Sequence, residues 1–137
     1  MRVEDFHKED DLHMAVCEYI RRQYPDVIFT SEPSGMRVSM FQAKKLKRLR
    51  SNKGLPDLWI LTPNKHHHAL LLELKREKSS PYKKDGTLRK NEHTQVQAEM
   101  LQRLLQLGYW ANFAVGFDSA IEQIDAYMKD EKVSKFT

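Results

Sequence analysis

Apolar residues recur at Leu12, Val16, Tyr19 and Ile20, the three-and-four spacing that lays one stripe along a helix. The pattern predicts a helix from Glu9 to Tyr24, ended by Pro25. Val27 to Thr30 is a short β-prone run, and Pro33-Ser34-Gly35 marks a turn. A second helix is expected from Ser39 to Arg50, with Ala43, Leu46 and Leu49 on its inner side. Leu58 to Thr62 reads as a strand and Pro63-Asn64 as a turn. Ala69 to Leu74 reads as a buried strand, being short, apolar and bounded by polar residues. Glu77 to Glu92 is polar and carries Pro81 and Gly86, which predicts a long loop. Thr94 to Leu107 has strong helical periodicity, with Gly108 as its C-terminal stop. Tyr109 to Val115 is expected as a strand and Ser119 to Met128 as a closing helix. The order helix, strand, helix, strand, strand, helix, strand, helix predicts an α/β fold, a small central sheet with helices on its faces.

Length and composition narrow the class. The 137 residues suffice for one domain with one core, residues 1–137, and are too few for two ordinary domains. With 40% hydrophobic residues the chain has too much apolar material to be wholly disordered. Its longest apolar stretches, such as Ala69-Leu70-Leu71-Leu72, are far too short to span a membrane. Glu4, Asp5, Glu9, Asp10 and Asp11 stand where a signal peptide would be apolar, so a cytoplasmic location is expected. Cys17 is the only cysteine, which excludes an intrachain disulfide and leaves it as a buried small hydrophobe.

The net charge of +4 hints at an acidic partner, and its distribution says more. Lys44, Lys45, Lys47, Arg48, Arg50 and Lys53 form a run with no acidic residue. Such a run is commonly a solvated face. Here it immediately precedes the best chemical motif in the chain, which favours a phosphate-binding surface.

Gly54-Leu55-Pro56-Asp57 opens one expected strand, and Glu73-Leu74-Lys75 closes the next. Pairing of the two as a hairpin brings Asp57 beside Glu73. Two carboxylates without a cysteine suit a hard cation such as Mg²⁺ or Mn²⁺. Glu73 and Lys75, two residues apart on a strand, leave the same face. A lysine there steers a water toward a phosphate or stabilises charge on it, while a metal lowers the pKa of its water and holds the scissile oxygen. The Leu74 carbonyl, pointing along the sheet, is a further candidate ligand. A lone Glu-x-Lys is most often a surface charge pair, so the reading rests on its place after Gly-Leu-Pro-Asp. His66-His67-His68 is expected to be an exposed hairpin tip rather than a zinc site, since adjacent side chains point in different directions and no cysteine accompanies them.

Gly54-Leu55-Pro56-Asp57, then Glu73-Leu74-Lys75, then a glutamine helix ending in Gly108-Tyr109, resembles the VRR-NUC family of virus-type replication and repair nucleases, within the PD-(D/E)xK superfamily. The resemblance runs from about Glu9 to Met128, which makes residues 9–128 the expected core. It implies a restriction-endonuclease-like fold with a mixed sheet, and a Mg²⁺- or Mn²⁺-dependent DNA endonuclease in which Asp57 and Glu73, with Leu74, hold metal and Lys75 positions or activates water. It also implies a first-helix glutamate. Glu9 shares a stripe with Leu12, Val16 and Ile20 and is the first choice; Glu18, on a stripe with Asp11, Ala15 and Arg22, is the alternative. The family's glutamine on that helix is His13 here. Its later glutamine corresponds to Gln97, although Thr94-x-x-Gln97 also reads as a capping box that would merely start the helix. Arg37, beside Ser34-Gly35, resembles part of a nucleic-acid-contacting turn, and the loop from Lys78 to Asn91 is longer than is usual in the family.

Stand-alone members occur often in phages, which places the expected activity in a bacterial or phage-infected cytosol. The implied partner is DNA, branched forms such as four-way junctions above all, cut by a homodimer whose two-fold axis matches that of the junction. The closing helix, with Ile121, Ile124 and Tyr127, is a candidate interface. The alternatives are a nucleic-acid-binding module of the same fold with lapsed chemistry, or a nuclease of single strands or RNA.

Overall fold

In the computed structural model, which describes residues 9–32 and 39–137, four strands form one mixed sheet. They are β1 (Phe29–Ser31), β2 (Leu58–Ile60), β3 (Leu70–Lys75) and β4 (Trp110–Val115), in spatial order β1-β2-β3-β4. The first two pairings are antiparallel and β3–β4 is parallel. Among the described residues there are four α-helices: α1 (Glu9–Gln23), α2 (Met40–Leu49), α3 (Glu92–Gln106) and α4 (Phe117–Met128). The element order is the one the periodicity predicts. Boundaries shift by one or two residues, as at β1, which starts at Phe29 rather than Val27.

Alternation along the strands divides the sheet into two faces. Leu58 and Ile60 of β2, and Leu70, Leu72 and Leu74 of β3, join the main core with Leu12, Val16 and Ile20 of α1 and Ile124 and Tyr127 of α4. Each of these side chains is completely buried, a gain of about 1.5–3 kcal/mol apiece. Tyr19 and Tyr24 both donate to the Asp125 carboxylate, tying α1 to α4. Burial, and then that carboxylate, push the Tyr19 hydroxyl up to about 12. On the opposite face Leu101 of α3 packs on Ala111 and Phe113 of β4. With helices on both faces, β3 is buried along nearly its whole length, as its apolar sequence indicates. Gly108, at φ 97°, closes α3 as expected: its N–H donates to the Leu105 carbonyl and that of Tyr109 to the Leu104 carbonyl.

Several expectations are corrected. α2 buries none of its residues, so Ala43, Leu46 and Leu49 are not an inner face. The sheet's faces are already covered by α1, α4 and α3, and α2 stands on its own capping box between Ser39 and Gln42. Ile124 and Tyr127 lie in the chain's own core, which removes them from the candidate interface. Cys17 is half-buried rather than buried; burial raises its thiol pKa, opposed by a Ser31 hydrogen bond and the Arg21 charge. At the hairpin tip His66 and His68 are exposed as expected, whereas His67 is not. Asn64 accepts the backbone N–H groups of His66 and His67 and donates to the Tyr127 and Glu131 carbonyls, fastening the turn to α4. His67 is half-buried against Trp110 and Tyr127, and its Nε2 accepts the Val133 N–H. Burial lowers its pKa. The turn at Pro33-Ser34-Gly35 and the contact residue Arg37 lie outside the described residues.

Candidate active site

Leu58 pairs with Leu72, so the next step of the same antiparallel register sets Asp57 opposite Glu73. The backbone of Asp57 is held from the other side, where its carbonyl accepts the Glu32 N–H at 2.7 Å. Its Oδ1 accepts the Leu74 N–H at 3.0 Å. Asp57 and Glu73 are 2% and 1% exposed. Two carboxylates directly across an antiparallel pair repel, and burial strengthens the repulsion, so the arrangement calls for positive charge. Lys75 supplies part of it, with Nζ 4.0 Å from Glu73 Oε1 on the shared face of β3.

Gln97 reaches this pair from α3. Its Nε2 donates to Glu73 Oε1 at 2.9 Å, and the residue is 2% exposed. It does not close a capping box. The N-cap is Asn91, whose side chain accepts the Thr94 N–H, three residues earlier than Thr94-x-x-Gln97 would set it. Gln97 Oε1 is buried with no hydrogen-bond partner among the described residues.

From α1 comes a residue whose role the sequence left unassigned. His13, 3% exposed, places Nε2 3.5 Å from Asp57 Oδ2, while its Nδ1 lies 2.7 Å from the Ser31 hydroxyl. The signal in the sequence was the resemblance, which sets the family's first-helix glutamine at His13. Ser31, on the edge strand, carried none. Glu9 is the first residue of α1, one turn before His13, and its side chain lies outside the described residues. Glu18 is exposed and pairs with Arg22 at 3.5 Å, on the water-facing side of the helix.

The direction of the Leu74 carbonyl follows from the ladder. The Ala69 and Lys75 carbonyls accept from Trp110 and Gly116, on the β4 side. Strand carbonyls alternate, so Leu74 points the other way, toward β2 and Asp57, as its N–H does. Asp57, Glu73 and this carbonyl form an all-oxygen donor set of the kind a hard cation takes. Among the described residues no group of three or more His, Cys, Asp or Glu side chains is assembled for a metal. Among the described residues, a cation here would have two carboxylates and backbone or water oxygens to bind.

The basic run lies to one side. Lys44, Lys45, Lys47 and Arg48 are exposed on α2, Lys53 is exposed beyond it, and Arg50 is half-buried with Nη2 3.9 Å from Glu32. Gly54, at φ 79°, turns the chain against α3: a Cβ there would stand 3.0 Å from Val96 Cγ1 and 3.2 Å from the Val96 carbonyl. This close approach carries the Leu55-Pro56-Asp57 segment to the site.

A solved structure described as a VRR_NUC domain protein superposes on this chain with a TM-score of 0.65, covering 94% of each chain at 24% sequence identity. The fold is that of a VRR_NUC domain protein. The four-stranded mixed sheet with its flanking helices is thus the restriction-endonuclease-like α/β architecture that the motifs implied. No protein-family model matches the chain, and no curated protein matches it in sequence. No helix among the described residues is long and apolar enough to cross a membrane. With this VRR_NUC fold, the Gly-Leu-Pro-Asp turn and the Glu-Leu-Lys strand end occupy adjacent positions on one hairpin.

Proposed function

We propose that this chain is a VRR-NUC nuclease that hydrolyses DNA phosphodiesters with a bound Mg²⁺ or Mn²⁺. One observation supports the reading above the others: Asp57 and Glu73, both buried, face each other across the β2–β3 hairpin with the Lys75 ammonium 4.0 Å from Glu73. Asp57, Glu73 and the Leu74 carbonyl would hold the cation, which when bound lowers the pKa of its water and polarises the phosphate. Lys75 donates to a water beside Glu73 and stabilises negative charge that develops on the phosphate. Gln97 holds Glu73 in place, His13 holds Asp57, and Glu9 is the first-helix acid. A binding module with lapsed chemistry would lack an acid or the lysine, and this chain has all three.

The finer reading is a structure-specific endonuclease, active as a homodimer on branched DNA such as four-way junctions, in the cytosol of a bacterium or phage-infected cell. A two-fold dimer presents two sites related as the opposed strands of a junction are, so paired cuts follow without base recognition.

The test is cleavage of linear, nicked, flap and four-way DNA, single strands and RNA by the purified chain, with Mg²⁺, Mn²⁺ or EDTA. Cleavage should stop in EDTA, return with either cation, and be abolished in Asp57→Ala, Glu73→Ala and Lys75→Ala proteins that still fold. Cleavage that survives exhaustive chelation, or persists in Glu73→Ala, would overturn the mechanism. A species that light scattering shows to be monomeric with and without DNA, cutting one strand of a flap, would remove the dimer and leave the nuclease.

A further inference from the structure

The segment between β3 and α3 has a composition that the site above does not use. Residues 77–91 carry Lys78, Lys83, Lys84, Arg89 and Lys90 against two acids, Glu77 and Asp85. The segment begins two residues after Lys75 and ends at Asn91, the N-cap of the helix that carries Gln97. Both of its ends are therefore fixed to residues of the candidate active site.

Polar and long as it is, this loop is built. Tyr82 and Leu88 form an antiparallel bridge. The Lys83 N–H donates to Thr87, the Gly86 N–H to Lys83 and the Arg89 N–H to Pro81, at 2.8–2.9 Å. Arg89 Nε donates to the Ser80 carbonyl, and Gln95 Nε2 donates to the Arg89 carbonyl, fastening the return leg to α3. Pro81 is buried and the Tyr82 ring packs edge-on to Phe113. At the tip, Asp85 turns its carboxylate inward to accept from the Thr87 N–H and hydroxyl, which lowers its pKa. Lys83, Lys84 and Lys90 remain exposed, on a frame that does not have to order itself on binding.

Beside the end of this loop, a groove of about 440 Å³ is lined by Lys53, Gly54, Glu92, His93, Val96 and Gln97 among others. Lys53 ends the basic run that begins on α2, and His93 lies three residues beyond Lys90. The end of the basic run and the first turn of α3, into which the loop leads at Asn91, thus line one groove, and Gln97 in that groove is bonded to Glu73.

We propose that the loop of residues 77–91 is a second backbone clamp for DNA: Lys83, Lys84 and Lys90 neutralise phosphates of the strand that enters the site, complementing the contact made from α2. This rests on the nuclease reading. Cations spaced along a fixed loop hold phosphates without reading bases, so the contribution is the same for every sequence.

The test compares two triple variants of equal charge. Lys83→Ala/Lys84→Ala/Lys90→Ala removes the clamp. Lys65→Ala/Lys129→Ala/Lys132→Ala removes three exposed lysines at the other end of the hairpin, where Asn64 binds the end of α4. Both are made in a Lys75→Ala background so that the DNA stays whole. Fluorescence anisotropy with a labelled duplex in Mg²⁺ gives affinity against salt, and melting curves confirm that each variant folds. The loop variant should flatten the log–log salt slope by about 0.9 for each phosphate no longer neutralised, and weaken binding at any one salt concentration, while the control variant keeps the parent slope. Equal slopes for the two variants would overturn the clamp and leave the nuclease standing on its cleavage. A parent chain that binds no DNA would overturn both.

Discussion

Gln97 donates its side-chain amide to Glu73 across 2.9 Å, and both residues are buried. The bond orients the carboxylate at Oε1, the same oxygen that lies 4.0 Å from Lys75 Nζ. Gln97→Ala should cost about 1–3 kcal/mol in urea unfolding, because it removes a buried hydrogen bond to a charged group. It should also lower metal affinity or cleavage by roughly 10–100-fold, the usual effect of removing a group that orients a ligand. Metal titration of the cleavage rate checks this: a variant with the parent's metal dependence would reduce Gln97 to a packing residue.

His13 should behave in the same way toward Asp57. His13→Ala removes a buried partner from both Asp57 and Ser31. Cleavage should fall by about 10–100-fold with DNA affinity unchanged. His13→Gln keeps a donor near the same distance along the side chain and should restore most of the rate. If the alanine and glutamine variants are equally impaired despite matched melting temperatures, the imidazole does more than position Asp57.

The exposed cations of α2 can be tested as a DNA-backbone contact. Lys44→Ala/Lys47→Ala/Arg48→Ala changes three exposed cations and leaves Arg50, which is 3.9 Å from Glu32, in place. Affinity should drop alike for all sequences, and the salt slope should flatten by about 0.9 for each phosphate these cations neutralise in the parent. α2 buries no residue, so the melting temperature should hold. An unchanged slope would make these residues a solvated face.

Gly54→Ala should be destabilising out of proportion to its size. Its φ of 79° strains any side chain, and the added Cβ meets the Val96 side chain at 3.0 Å. Backbone strain of this kind costs about 1–3 kcal/mol. The relief available is a shift of the turn, which carries Asp57 with it, so cleavage should fall further than stability alone accounts for. Chemical denaturation beside cleavage rates measures both; a loss of stability with full activity would show that the turn does not set the position of Asp57.

The sequence by itself determined the order of elements and the two strand ends that meet at the site. Leu12, Val16 and Ile20 mark the buried stripe of α1, Ala69 to Leu74 a strand covered on both sides, and Gly108 a helix end, because periodicity and a positive φ are local properties. Register also followed, since a hairpin between Asp57 and Glu73 allows few pairings. Periodicity says which face of an element is apolar, not what surface waits for it. Hence α2 looked half-buried and is not: the sheet faces were taken by α1, α4 and α3. The resemblance pointed to Gln97 and His13, but what each of them touches was hidden for the same reason. Gln97 reaches Glu73 from the helix on one face, and His13 reaches Asp57 from α1, contacts between residues far apart in the chain that only the stacking of helices on the sheet decided.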